Sequence, residues 1–252
     1  MRNKKLHINV LYRALFLSGL LLPVSAEIKT VQSGNNINPG TTVNETVLKA
    51  PGNPDGYTYN LYAHQFTKID KLSGDKNYYE IMISDSGMEY IHSHYDPKKK
   101  VVRYGYQLPD TMQNVEYVSW LWRVETPPVG ADERINGLND SGCAVYLIFK
   151  DKIKTYCIKY VYSSVVPKGT IIRKDPALYP IQQMYMVVAD TWSAKDKGEW
   201  KKVVVNVKSD FKKIYKVDKC PELKGIGILS DGDATKSVVV ADYAEFKITG
   251  KK

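Results

Sequence analysis

The chain has 252 residues, 43% of them hydrophobic and 25% charged, with a formal net charge of +9. That length and apolar content allow one sizeable core without disulfide staples. The lysines are spread along the chain, as in Lys98-Lys99-Lys100, Lys201-Lys202 and Lys212-Lys213. Such spacing reads as a solvated face, and with no recognition-helix pattern a nucleic-acid partner is not expected.

The chain opens on a basic segment holding Arg2, Lys4, Lys5 and Arg13, followed by an apolar stretch from Ala14 to Val24 and the small-residue exit Val24-Ser25-Ala26. This is the three-part plan of a secretory signal, with cleavage expected after Ala26. The apolar stretch is shorter than the roughly 20 residues a spanning helix needs. Export to the periplasm or the medium is therefore expected, with no membrane span left after cleavage. The removed segment carries four positive charges and no negative one, so the formal charge of the mature chain falls by four.

Residues 27–56 contain four glycines, five asparagines, three prolines and no aromatic residue, which reads as a loosely ordered leader. From Tyr57 to the end the sequence predicts a single β domain. Tyr, Val, Ile and Phe dominate runs separated by Gly, Asp, Asn, Pro and Lys clusters. Strands are predicted over Tyr57 to Phe66, Tyr78 to Ile83, Met88 to His94, Val101 to Gln107, Val115 to Val124 and Cys143 to Phe149. They continue over Thr155 to Tyr162, Gln183 to Ala189, Lys202 to Val207, Gly225 to Leu229 and Val238 to Ile248. One stretch has helical spacing: Ser209 or Asp210 as cap, with Phe211, Ile214 and Tyr215 facing inward. The implied fold class is all-β, an antiparallel β-sandwich of two packed sheets, jelly-roll-like, with at most one or two short helices.

Three cysteines survive cleavage, Cys143, Cys157 and Cys220. A hairpin turning around Lys150 and Asp151 would set Cys143 opposite Cys157, so a bridge between them stands beside the alternative of buried free thiols.

Four constellations bear on function. The strand Val115 to Val124 puts Val118, Trp120, Trp122 and Val124 on one face and Tyr117, Ser119, Leu121 and Arg123 on the other. The valines beside the tryptophans point to a core row rather than a stacking platform for sugar rings. Tyr156, Ile158, Tyr160 and Tyr162 form a similar row, and nineteen tyrosines in the chain suit either a carbohydrate cleft or a half-buried sheet. Next, Asp231 and Asp233 flank Gly232 in a turn, with Asp242 in the following strand. These are hard oxygen ligands for a structural calcium, but too few for a full shell. The alternative is an Asx-type turn, with Asp242 salt-bridged to Arg123 or Arg134.

Third, the loop Gly130 to Asp140 gathers Asp132, Glu133, Arg134, Asn136, Asn139 and Asp140 between two apolar strands, either to meet a ligand or to close the end of the sandwich. Last, His92 and His94 share a strand face at a spacing that suits zinc, but His64 is the only other histidine left after cleavage. With Tyr95 and Arg103 they would also suit β-elimination on a uronate, a cation neutralising the carboxylate while a tyrosine or histidine takes the adjacent proton.

No Gly-x-Ser-x-Gly elbow, phosphate-cradling glycine loop or evident glutamate pair occurs. The reading that results is a non-catalytic carbohydrate-binding sandwich meeting a polysaccharide or cell-envelope glycan through Arg123, Asp132, Arg134, Asp140, Tyr160, Tyr162 and Trp200. No cofactor is expected beyond a structural calcium. Two alternatives stand beside it, a lyase on an acidic glycan and a structural or partner-binding envelope protein.

Particular stretches resemble a known family. They are Ser119-Trp120-Leu121-Trp122-Arg123-Val124, Pro127-Pro128 through Arg134, Asp140, Val145-Tyr146 with Phe149, and Tyr160 with Pro167 and Gly169. Trp200 with Val205-Asn206-Val207 and Asp210, then Gly225 to Ile228, Asp231 to Thr235 and Ala241-Asp242-Tyr243 complete the set. Over about residues 85 to 250 the chain resembles the exported bacterial family catalogued as domain of unknown function 3047. The resemblance implies export and this fold rather than a particular activity. It also implies a second arginine where Leu121 stands, a tryptophan where Tyr162 stands, and an acidic residue near Val203 and Val204. If those positions form a shared site, its ligand is lost or altered here.

Overall fold

The computed structural model describes residues 56–69, 77–152, 154–174 and 182–251, all of which belong to one compact unit. The signal segment, its cleavage point and the leader up to residue 55 lie outside the described residues. Among these, no helix is long and apolar enough to cross a membrane.

Every one of the eleven predicted runs contains a strand. In chain order they are β1 (Gly56–Leu61), β2 (Thr67–Lys68), β3 (Tyr79–Ile83), β4 (Glu89–Tyr95), β5 (Tyr104–Gln107), β6 (Val115–Thr126) and β7 (Cys143–Asp151). There follow β8 (Lys154–Ser163), β9 (Ile171–Lys174), β10 (Gln182–Thr191), β11 (Lys201–Asn206), the helix α1 (Val207–Tyr215), β12 (Glu222–Leu229) and β13 (Val239–Lys251). Two short strands escape the pattern. The run through Phe66 breaks at a 3-10 turn, Ala63–Gln65, before β2, and the four-residue edge strand β9 has too few alternations to show.

Sheet I has the order β11-β6-β13-β4-β3, and sheet II the order β2-β5-β12-β7-β8-β10-β9. Pairing is antiparallel except between β8 and β10, which run parallel. The long strand β13 organises sheet I. One edge pairs with β6 throughout, while the other pairs with β4 up to Ala244 and with β1 from Phe246. Where the partner changes, Glu245 takes a left-handed conformation (φ 49°) and the register against β6 slips by one residue. This bulge resets the two-residue period, so that Phe246 and Ile248 face inward as Tyr243 does.

The core lies between the sheets. Trp120 and Trp122 of β6 are 1% and 0% exposed, and across the gap Trp122 stacks on Tyr162 at 5.6 Å and Trp120 meets Tyr160 at 5.7 Å. Buried aromatic rings remove about 150–250 Å² each from water, roughly 4–6 kcal/mol apiece at about 25 cal/mol per Å². The tryptophan row is thus core, as its valines implied. Tyr160 and Tyr162, expected to reach ligand, belong to the same core, where two closing sheets exclude any ligand from them.

The helix closes one end. Its cap is Asn206, whose side chain accepts from the Ser209 backbone N–H at 2.9 Å, not Ser209 or Asp210. The helix starts earlier because Val207 is itself buried, and Asp210 is engaged by the Tyr160 hydroxyl at 2.7 Å. Phe211 and Ile214 face the core as predicted, and the Tyr215 ring stacks on Phe211 at 4.4 Å.

Of the two readings of the cysteines, a Cys143–Cys157 bridge or free thiols, the structure has free thiols at all three. The hairpin turns after Asp151, which pairs with Lys154, so Cys143 meets Tyr162 and Cys157 meets Ile148. Cys143 joins the core row of β7, whereas Cys157 sits on the opposite face of sheet II beside Lys159 and Val161. Burial pushes the Cys143 thiol well up and that of Cys157 to about 12, so neither supplies thiolate at neutral pH.

Two equally buried tyrosines differ in one respect. The Tyr243 hydroxyl donates to the Leu229 carbonyl at 2.7 Å, accepts from the Ala144 N–H at 3.1 Å and meets the Ser230 hydroxyl at 2.8 Å. The Tyr162 hydroxyl has no partner among the described residues. In urea denaturation Tyr243→Phe is expected to lose about 1–3 kcal/mol, because it strands buried partners. Tyr162→Phe is expected to lie within about 0.5 kcal/mol of the parent, or above it. Equal losses would contradict this assignment.

Candidate functional site

Sheet I keeps one face against the core and, among the described residues, the other free of a second layer. On the free face, strand register aligns a row across four strands. Glu80 of β3 stands opposite His92 of β4, His92 opposite Asp242 of β13, and Asp242 opposite Arg123 of β6. Trp200, just before β11, lies over the Arg123 guanidinium at 4.6 Å. Period two turns Trp122 inward and Arg123 outward, and it places Tyr90 on the same face as His92. Tyr90 meets Trp200 edge-on at 6.0 Å, its ring 5.4 Å from the guanidinium.

Asp242 is the hinge of the row. Its side chain is only 5% exposed, with one oxygen accepting from Arg123 Nε at 2.6 Å and the other bonded to His92 Nδ1 at 2.7 Å. A buried carboxylate is costly unless both oxygens are met, and here a guanidinium and an imidazole meet them. Of the two partners the sequence offered for Asp242, the fold selects Arg123. Arg134 instead forms an exposed two-pronged pair with Asp132 in its own loop, at 2.9 and 2.6 Å. The bond to Asp242 raises the His92 pKa above its ordinary 6.5, outweighing the opposite effect of burial. Beyond His92, an open cleft of about 340 Å³ is lined by Glu80, His94, Asp96 and Lys99 among others.

The set His92, His94, Tyr95 and Arg103 is not one site. His92 and His94 share the free face, but Tyr95 points into the core, fully buried, because odd and even positions of a strand take opposite faces. Arg103 precedes β5 on the other sheet, close enough to Cys157 to favour its thiolate. The arginine beside His92 is Arg123. His64 bonds to Glu89 at 2.9 Å, and among the described residues no candidate metal cluster includes a histidine.

The acidic set also regroups. Asp231 and Asp233 come together with Asp140, ligand atoms within 4.8 Å of one another, while Asp242 belongs to the row on sheet I. Asp140 holds the turn, accepting from the Thr235 N–H and hydroxyl, both at 2.7 Å, and from the Ala234 N–H at 3.3 Å. The turn itself needs Gly232, where a Cβ would run into the Ser237 carbonyl. Burial pushes the Asp231 carboxyl up to about 6. For a calcium ion the cluster supplies three carboxylates of the six to eight oxygens required, and Asp140 is already engaged. The residues present do not complete a calcium site.

In the Gly130 to Asp140 loop, the chemistry turns inward. Glu133, fully buried, accepts from the Ser141 hydroxyl at 3.0 Å and the Ser163 hydroxyl at 2.5 Å, while Lys174 donates to its carbonyl at 2.9 Å. Nearby Lys159 is buried on sheet II, 5.5 Å from the Tyr146 ring. Burial alone would lower its ammonium, but Tyr146, Asp231 and Glu133 reverse that and keep it charged. This loop closes the sandwich end through its buried residues, while Arg134, paired with Asp132, and its neighbours Ile135 and Asn136 are exposed. Tyr90 and Glu80 are the members of the free-face row that the sequence reading passed over. The parity of Tyr90 with His92 was the available signal, whereas Glu80 had none.

Fold and site together define a two-sheet β-sandwich with an arginine and aromatic row on the open face of one sheet. The chain belongs to the family described as protein of unknown function (DUF3047), which it matches over residues 67–247. Leu121, where the resemblance implied a second arginine, lies on the same open face as Arg123, opposite Ala244. No curated protein matches the chain in sequence. Among solved structures it is similar to the xyloglucanase domain of NopAA, a type three effector from Sinorhizobium fredii in complex with cellobiose. Identity is 11%, TM-score 0.42, and the match covers 76% of this chain and 97% of that one. It is also similar to CsCBM6-3 from Clostridium stercorarium in complex with cellobiose, at 11% identity and TM-score 0.31, covering 77% and 93%.

Two predictions follow from the geometry. His92 should titrate above 6.5 by NMR, and Asp242→Asn should bring that value down; an unchanged midpoint would break the link. Because the folded pKa is raised, the pair's contribution to stability is complete below the unfolded value and is lost as pH rises through the folded one. Separately, Glu133→Ala should lower the thermal midpoint clearly, since it strands Ser141 and Ser163, whereas Arg134→Ala should leave it unchanged. A reversed order would place the structural network elsewhere.

Proposed function

We propose that this protein is an exported, non-catalytic glycan-binding sandwich that meets its ligand on the free face of sheet I. The observation that carries the reading is the Trp200, Tyr90 and Arg123 cluster. Trp200 and Tyr90 are half-buried aromatic rings that remain outside the core, on a sheet face with no second layer among the described residues. Indole and phenol rings offer flat apolar surface to the C–H face of a pyranose, and their fixed neighbours spare the ordering cost of binding. Asp242 locks Arg123 from beneath, so the platform is set before the ligand arrives. Tyr160 and Tyr162 leave the binding set, and Tyr90 enters it.

One observation favours the lyase alternative: His92 is oriented by a buried carboxylate and stands one strand from the Asp242–Arg123 pair. Against it, the tyrosine of the expected set is sealed in the core. Affinity electrophoresis through gels holding plant and bacterial polysaccharides tests both. At least one polymer should retard the protein, and Trp200→Ala and Tyr90→Ala should each abolish most of that retardation without changing the circular dichroism spectrum. Retardation untouched by either substitution would reject this face as the site. Ultraviolet absorbance appearing from an unsaturated uronate would make the protein a lyase.

A further inference from the structure

The platform carries a charge pattern that narrows its ligand. Arg123 spends only Nε on Asp242, and its two terminal nitrogens have no acceptor among the described residues. The guanidinium is held by that bond and by the Trp200 ring at 4.6 Å, with its side chain 30% exposed. A planar fork fixed in this way is matched by the two oxygens of a carboxylate, and a flexible ammonium would match it less well.

Two acids beside it are occupied. Both oxygens of Asp242 are taken, by Arg123 and His92, and Glu125, next along the same face of β6, pairs with Lys197 at 3.1 Å. Cations on this face are less engaged. Lys202, opposite Leu121, and Lys247, opposite Ser119, are exposed and without an ion-pair partner among the described residues. Of the acids without an ion-pair partner among the described residues, Glu80 stands at the far edge of the row, across His92 and beside the cleft, while Glu199, next to Trp200, and Glu245, in the β13 bulge, are exposed.

We infer that the glycan bound on this face is acidic, a uronate-bearing polysaccharide whose carboxylate seats on the terminal nitrogens of Arg123 while its ring stacks on Trp200. The inference rests on the glycan-binding reading. A neutral sugar would leave half-buried guanidinium donors to weaker hydroxyl acceptors, and a charged acceptor forms the stronger hydrogen bonds.

The test compares polygalacturonate, alginate and hyaluronan with their carboxyl-reduced forms, by affinity electrophoresis and calorimetry in about 0.15 M salt, near which exposed charges are screened beyond about 8 Å. The expected result is that at least one acidic polymer binds the parent protein tenfold or more tightly than its reduced form. Arg123→Lys, which keeps the charge beside Asp242 but loses the fork, should remove most of that difference. Equal binding of acidic and reduced forms, or binding of neutral glycans alone that Trp200→Ala abolishes, would overturn the acidic ligand and leave the glycan reading standing. Binding to no polymer would remove both. Acidic binding that Arg123→Lys leaves intact would mark general attraction to lysines and overturn the inference. Should Arg123→Lys fail to fold, the comparison of acidic and reduced polymers on the parent protein decides alone.

Discussion

Everything on the free face of sheet I depends on how β6 and β13 are paired. Strand geometry sends neighbouring side chains to opposite faces, so burying Trp122 fixes Arg123 on the outside, and burying Tyr243 does the same for Asp242. The register that sets Asp242 opposite Arg123 also sets Tyr243 opposite Trp122. One alignment thus packs the core and assembles the charged row. A slip of one residue would exchange the two, placing an ion pair between the sheets and two large aromatic rings in water. Core packing is therefore what holds the surface site in place.

The bulge at Glu245 shows the same constraint from the other side. Beyond Ala244 the strand must keep feeding apolar side chains inward against β6 while its other edge changes partner from β4 to β1. An extra residue in the left-handed region resets the phase at that point, so Phe246 can pack against Trp120 and Phe66. The small side chain of Ala244, opposite both Leu121 and Tyr90, keeps the outer surface low beside the aromatic pair.

The end of the sandwich where β6 leads into β7 uses polar chemistry for closure rather than recognition, whereas α1 closes the other end with apolar side chains. Glu133 collects hydroxyls from Ser141 and Ser163, Asp140 clamps the turn around Thr235, and Lys159 sits buried among acids and Tyr146. In sequence such groups fit a ligand-binding loop as well as closure, because they are numerous, polar and placed between strands. Burial changes their meaning: a buried polar group must spend its hydrogen bonds on the protein, and one that does so has none left to offer.

Local pattern was enough for the strands, since alternation and turn residues are properties of a few neighbouring positions. It also assigned Trp120 and Trp122 to the core and Arg123 to the outside. Pattern could not give strand order, because order depends on contacts such as those of Asp242 with Arg123 and His92, each more than a hundred positions away. Hence Asp242 was grouped with its sequence neighbours Asp231 and Asp233, and Tyr95 and Arg103 with His92. The sequence by itself determined which side chains share a strand face, through the fixed period of the extended chain. Only the tertiary structure decided which faces meet, because pairing is settled by closing one core over all the strands at once.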